Sequence, residues 1–428
     1  MDVDGGVAGR SYGGRMYLSP QVPRWSPQSE DDLLQALARG LLEESHYLDL
    51  KREVEPGKGA NKELARDLAQ FAVDGGALII GVEEHKDGPP TLAPVELDGL
   101  PERVEQIARS IPDPPLPVTC QAIASAADPA RGYLVVKIGA SGMAPHMVEG
   151  VYFGRGDRTK LRLSDAEVLR LHQGRGDVED RAKALLDAYV RRDPVPVAIR
   201  AQAHLFVVVA PVSPRREMLL DAVYGEGWHK RFHQLKNAGD AVVAGEQFAP
   251  DLPSAGRPAR RADGAAMTYG LTEDRRLDPS RSDRFVEDAL ELELSEDGVV
   301  RLFTSRLSDD ARGRGQLVFV DMVPVLTRRA LSVAQAVSEH CGYHGPWLVG
   351  VAATGIAGLG AYETQGWGSG PGLPQDHGDY QQVTTASSAE LAQAPGAVAG
   401  RVVGRLLRAF GQADAMVHLL TDGPQPER

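Results

Sequence analysis

The run ALIIGV, residues 77–82, is the tightest constraint in this chain. It is apolar throughout, too short for a buried helix and bounded by DGG before it and by charged EEH after it. Those features predict a buried strand, which needs cover from its neighbours. Upstream, Ser29 and Asp32 have the spacing of a capping pair, and Leu33, Leu34, Leu37 and Leu41 follow at helical spacing. A strand is predicted at 47–51, then a turn-rich loop, EPGKGANK. Leu64, Leu68, Phe71 and Ala72 form the apolar stripe of a helix that Asp74–Gly76 stops. The charged stretch EEHKDGPP is expected to be a loop. Beyond it come a helix near 101–110 ended by PDPPLP, strands at 117–123 and 133–139, a strand and turn at 151–162, and a capped helix at 164–172. The predicted fold class is α+β or mixed α/β.

The order of these signals divides the chain. Residues 1–28, rich in Gly, Ser and Pro, are expected to form a flexible arm, and 29–175 the first domain. Residues 176–194 hold a connecting helix and linker that ends at DPVPV (193–197), and 195–428 form a second α/β domain of undetermined type. That half predicts a strand at 203–210, a loop between about 245 and 282, and a hairpin turning at Asp297–Gly298. A strand at 316–323, a helix at 327–340, a strand at 347–352 and a helix at 396–410 complete it.

Composition narrows the function classes. At 428 residues, with 42% hydrophobic and 25% charged residues, the chain reads as globular. It has no apolar run that would cross a bilayer and no signal-like N-terminus, so a cytoplasmic location and no membrane partner are expected. Cys120 and Cys341 are the only cysteines and lie far apart, which predicts free thiols rather than a disulfide framework or a cysteine zinc site. A net charge of −12 opposes non-specific nucleic-acid binding by the whole chain and confines any such site to a local basic stretch. VYFGRGDRTKLR (151–162) is that stretch, with Arg155, Arg158, Lys160 and Arg162 against Asp157 alone. Tyr152 or Phe153 offers a stacking face there or belongs to the core. GKG at 57–59 lacks the order of a phosphate-binding P-loop, so ATP hydrolysis is not expected. His46, His85 and His146 have no zinc-like spacing.

If 47–51 is a strand, Tyr47, Asp49 and Lys51 share one face, and Leu48 and Leu50 the other. ESHYLDLK (44–51), FAVDGGALIIGVEE (71–84) and the region from Pro145-His146 through VYFGRGDRTKLRLSDAEVLRL (151–171) together resemble the Schlafen AlbA-like domain, over residues 29–175. Val73 and Asp74 depart from the Asn-Thr usual in that family. The resemblance implies a small mixed sheet with helices and binding of RNA or DNA. In RNA-cleaving members three acids cluster, and the matching positions are Glu44, Asp49 and Glu84. As a catalytic and metal-ligating set they would hold Mg²⁺ or Mn²⁺ against a phosphate, since hard cations take oxygen ligands. Lys51 would contact phosphate or hold the acids together. Two readings therefore stand at this point. In one, the protein is a divalent-metal-dependent endoribonuclease. In the other it needs no cofactor, the acids merely pair with Lys51, Arg52 or Arg155, and the chain is a non-catalytic DNA-binding regulator or a scaffold whose second half engages a protein partner.

Overall fold

The computed structural model describes residues 25–422 apart from 86–87, 177, 215–216, 241–251, 279, 281–286, 311–314, 363–368 and 373–377. The chain divides into two compact units, Met1–Leu169 with Glu339–Tyr343, and Arg170–Ser338 with His344–Arg428. The fold is mixed α+β.

The first unit runs α1 (Glu30–Ala38), β1 (Leu48–Lys51), α2 (Lys58–Ala69), β2 (Gly76–Ile80), β3 (Val82–His85), β4 (Gly88–Leu92), β5 (Val95–Glu96) and α3 (Leu100–Ser110). Then come β6 (Val118–Ala124), β7 (Arg131–Ile138), β8 (Met147–Val148), β9 (Val151–Arg155), β10 (Lys160–Arg162) and α4 (Asp165–Gly176). The central sheet places β2 between parallel β1 and antiparallel β7, with β6 on the far edge of β7. Both faces of β2 are covered, which is why its sequence is apolar without alternation. Ala77 and Ile79 share a core with Leu48, Leu50 and Val135 and with Leu33 and Ala36 of α1. Leu78 and Ile80 pack with Leu134, Val136, Leu64 and Leu68 of α2 and Val104 and Ile107 of α3. Each such buried aliphatic side chain contributes about 1.5–3 kcal/mol of transfer free energy. Ser29 and Asp32 form the predicted capping box.

Three expectations change. Helix α2 starts at Lys58, inside the segment read as a loop, because Gly57 takes the φ of +116° at its N-cap. Among its described residues the charged stretch after β2 is strand: β3 and β4 pair antiparallel, and their mostly exposed polar residues give no apolar signal. The end of the expected arm is docked, since Trp25 packs against the α1 core and the Pro27 carbonyl accepts from Gln121 Nε2 at 2.6 Å. Residues 1–24 lie outside the described residues.

The second unit is built on a seven-stranded antiparallel sheet in the order Arg257–Arg261, Gly264–Tyr269, Leu290–Ser295, Val300–Thr304, His204–Pro211, Trp347–Thr354, Tyr380–Ala386. The helix α5 (Val178–Arg191), expected as a connector, buries Ala182, Leu186 and Tyr189 against Phe206, Val208, Phe303, Leu348 and Ala352, so it belongs to this core. The hairpin at Asp297–Gly298 forms as predicted, with Gly298 at φ +84°. The loop expected between about 245 and 282 instead contains the edge strand Arg257–Arg261, which pairs with Gly264–Tyr269, and Gly264–Tyr269 in turn pairs with Leu290–Ser295. The strand expected at 316–323 shrinks to Leu317–Val318, because the helix Met322–Cys341 starts early.

His204 is fully buried between two carboxylates, with Nδ1 2.7 Å from Asp193 Oδ2 and Nε2 3.2 Å from Glu287 Oε2. Neither Cys120 nor Cys341 is in a disulfide. Among the described residues no helix is long and apolar enough to cross a membrane.

Candidate carboxylate cluster and cationic hairpin

The parallel pairing of β1 with β2 sets Asp49 opposite Leu78 and Lys51 opposite Ile80. Strand alternation turns Leu48 and Leu50 toward α1, and Asp49 and Lys51 toward α2. The charged face is not solvated, for Asp49 is only 7% exposed. Its counter-ion is Arg155, from the end of β9, whose Nη1 lies 3.2 Å from Asp49 Oδ1. The same guanidinium donates from Nε to the Ser45 carbonyl and from Nη2 to the Leu48 carbonyl, both at 2.7 Å, and lies 4.8 Å over the Phe71 ring. With its side chain 3% exposed, Arg155 is an internal clamp and cannot serve as the phosphate ligand that the sequence suggested.

The three predicted acids do come together. Burial is the largest influence on Glu44, followed by a hydrogen bond with Asp49 and the charges of Asp49 and Glu84; they push its carboxyl up to about 8, against the pull of Arg155. Glu84 is raised too, by burial and then by Asp49, while Arg155, Arg158 and a hydrogen bond with Glu44 oppose the rise. The folded state thus keeps a proton on Glu44 that the unfolded chain releases near pH 4.5. Stability tied to this proton is full below pH 4.5 and falls as pH climbs toward about 8. Glu44→Gln is therefore expected to melt like wild type near pH 4.5 and at a higher temperature at pH 9, a gain moderated by water because Glu44 is only half-buried. A lower melting temperature for Glu44→Gln at pH 9 would refute the shared proton.

Carboxylates are the right donor type for Mg²⁺ or Mn²⁺, but their placement is not that of a metal centre. Among the described residues no three acidic, histidine or cysteine side chains converge on a position that could hold an ion. The acids are near enough to share a proton, and Asp49 is already held by Arg155. No reaction step through a metal follows from this arrangement.

A second set of acids, missed in the sequence, holds Lys160 of the basic stretch together with Lys51 of β1. Asp67, 4% exposed on α2, takes Lys51 Nζ at 2.8 Å on one oxygen and Lys160 Nζ at 2.7 Å on the other. Lys160 also meets Glu63, Glu63 pairs with Arg66 at 2.8 Å, and Arg66 reaches Glu149 at 2.6 Å. Burial works against the charge on Lys51, yet the pull of Asp67 outweighs it and raises its pKa. The available signal was Asp67 beside Leu64 and Leu68 on the buried face of α2, since an acid there needs a partner. Two cations remain outward. Arg158, 67% exposed, has only a 3.6 Å contact with the equally open Glu43. Arg162 is exposed and has no ion pair among the described residues. Between this hairpin and α2 lies a cleft of about 560 Å³, floored by Val148, Val151 and Phe153 and rimmed by Arg66, Lys160 and Arg162 with Glu63 and Glu149.

The histidines fill structural roles. His46 bridges the Gly156 carbonyl, at 3.2 Å, and Asp74 Oδ2, at 3.1 Å, so the acid that departs from the Schlafen pattern has a partner across the turn. His146 is buried against the Pro114 carbonyl and Ser141 Oγ.

No family model matches the chain, and no curated protein matches it. Among solved structures, the N-terminal domain of a RecG-related protein from Nitrosomonas europaea is 21% identical over 32% of this chain and 92% of that one, with a TM-score of 0.25. A protein of Corynebacterium diphtheriae is 18% identical over 37% of this chain and 33% of that one, with a TM-score of 0.24.

Proposed function

We propose that the first unit binds nucleic acid through the hairpin of β9 and β10. One observation carries this reading: of the five cations singled out in the sequence, Arg158 and Arg162 alone are turned to water and not committed to a buried acid. The resemblance of residues 29–175 to the Schlafen AlbA-like domain supports it. Lys51, Arg155 and Lys160 hold the hairpin against β1 and α2, and so fix where the two outer arginines stand. In a protein of net charge −12, contact is local and strongly dependent on salt. Arg158→Glu with Arg162→Glu is expected to lower affinity for a labelled RNA or DNA by tenfold or more at low salt. The slope of log affinity against log salt should shrink by about 0.9 per lost duplex phosphate contact. Fluorescence anisotropy measures both, and a titration indistinguishable from wild type would exclude the hairpin.

A second reading, a Mg²⁺- or Mn²⁺-dependent endoribonuclease, draws on the nearness of Glu44, Asp49 and Glu84, which as they stand share a proton and form no ion-holding set. Its test is incubation of labelled structured RNA with Mn²⁺. Cutting by wild type that Asp49→Asn loses would support it, and intact RNA that is still bound would leave the binding module.

A further inference from the structure

We infer that the cleft beside β9 and β10 receives one unpaired nucleotide, so that the first unit prefers single-stranded over duplex nucleic acid. The inference rests on the binding reading above and specifies its ligand.

At about 560 Å³ the cleft lies within the range of roughly 300–1,000 Å³ typical of small-molecule sites. It is larger than a bare phosphate needs. Its floor is apolar, formed by Val148 and Phe153 from the core and half-buried Val151. A floor of that kind offers contact to the flat face of a base, which a duplex hides by stacking and an unpaired strand leaves free. Its rim is cationic: Arg162 is exposed and unpaired among the described residues, while Arg66 and Lys160 stand 5.9 and 6.0 Å from the Phe153 ring centre. The rim carboxylates Glu63 and Glu149 leave the cleft one positive charge in excess, as suits a single phosphodiester. Apolar floor and cationic rim lie side by side, as do base and phosphate in a nucleotide.

The test uses the full chain in fluorescence anisotropy with a short labelled single strand, as RNA and as DNA, and with the duplex of the same sequence. The single strand is expected to bind about tenfold tighter than the duplex, an effect of the size of one base contact. Val151→Trp, which fills the floor, should abolish that preference. Excess nucleoside monophosphate should displace the wild-type single strand where inorganic phosphate at equal ionic strength does not, a readout that needs no variant to fold. Equal affinity for strand and duplex, or a preference that survives both Val151→Trp and the nucleotide competitor, would overturn the inference and leave the hairpin reading standing. Absence of binding to either form would overturn both.

Discussion

Arg155→Ala is expected to destabilise the first unit by about 3–5 kcal/mol, the usual cost of removing one partner of a buried ion pair. The change leaves Asp49 buried beside Glu44 with no cation at contact distance but Lys51, 4.0 Å away and shared with Asp67. It also removes one of the two hydrogen bonds that the Ser45 and Leu48 carbonyls each accept, leaving them the backbone N–H groups of Leu48 and Ser45. Arg155→Lys should recover only part of the loss, because a point charge cannot reach three acceptors in three directions. Urea titration monitored by circular dichroism reads the effect, and a wild-type transition in Arg155→Ala would mean that the clamp is not needed. The experiment also separates the two roles considered for this residue, since a phosphate ligand on the surface would weaken binding and leave folding alone.

His204→Leu is the second large expected loss, again about 3–5 kcal/mol, now in the second unit. Asp193 and Glu287 are almost fully buried with His204 between them, and Arg200 Nη2 also meets Asp193 Oδ2 at 2.9 Å, so the imidazole is the cation that faces both acids. Burial opposes protonation of His204, but the hydrogen bonds and charges of Asp193 and Glu287 outweigh it and raise its pKa above 6.5. A raised histidine contributes stability that is fully present below pH 6.5 and is lost as pH rises through the folded value. Wild type should therefore lose melting temperature on the alkaline side of that range, and His204→Leu should show a flatter profile at a lower level throughout. Calorimetric melts across the range decide it. A variant as stable as wild type at pH 6 would show that the two acids do not need His204, Arg200 being enough for Asp193.

Local pattern carried much of the fold. The alternation of Leu48, Asp49, Leu50 and Lys51, the capping pair at Ser29 and Asp32, and the turn at Gly298 each depend on neighbours a few positions away, and each is realised. What failed was pairing across long separations. Arg155 looked like one more cation in a basic run, yet its partners come from residues 45–49, over a hundred positions earlier. Asp67 carried a weak signal, a buried position on α2, but nothing nearby names Lys51 and Lys160 as its partners. The three acids were legible as a set through motif order; their proton sharing was not, because it depends on burial and on the distance between strand ends. Arg257–Arg261 was hidden for a related reason, since an edge strand needs no apolar alternation when its neighbour supplies the ladder.

Asp67 touches two lysines borne by β1 and β10, and both oxygens are engaged. In a drifting lineage such a residue ties separate positions into one heritable unit. Loss of the acid strands two half-buried ammonium groups, and loss of either lysine strands part of the acid, so each single step costs more than the exchange completed in concert. Descendants of this chain should therefore change residues 51, 67 and 160 together or keep all three, whereas Arg158 and Arg162, which form no ion pair with a buried acid among the described residues, are free to vary one at a time.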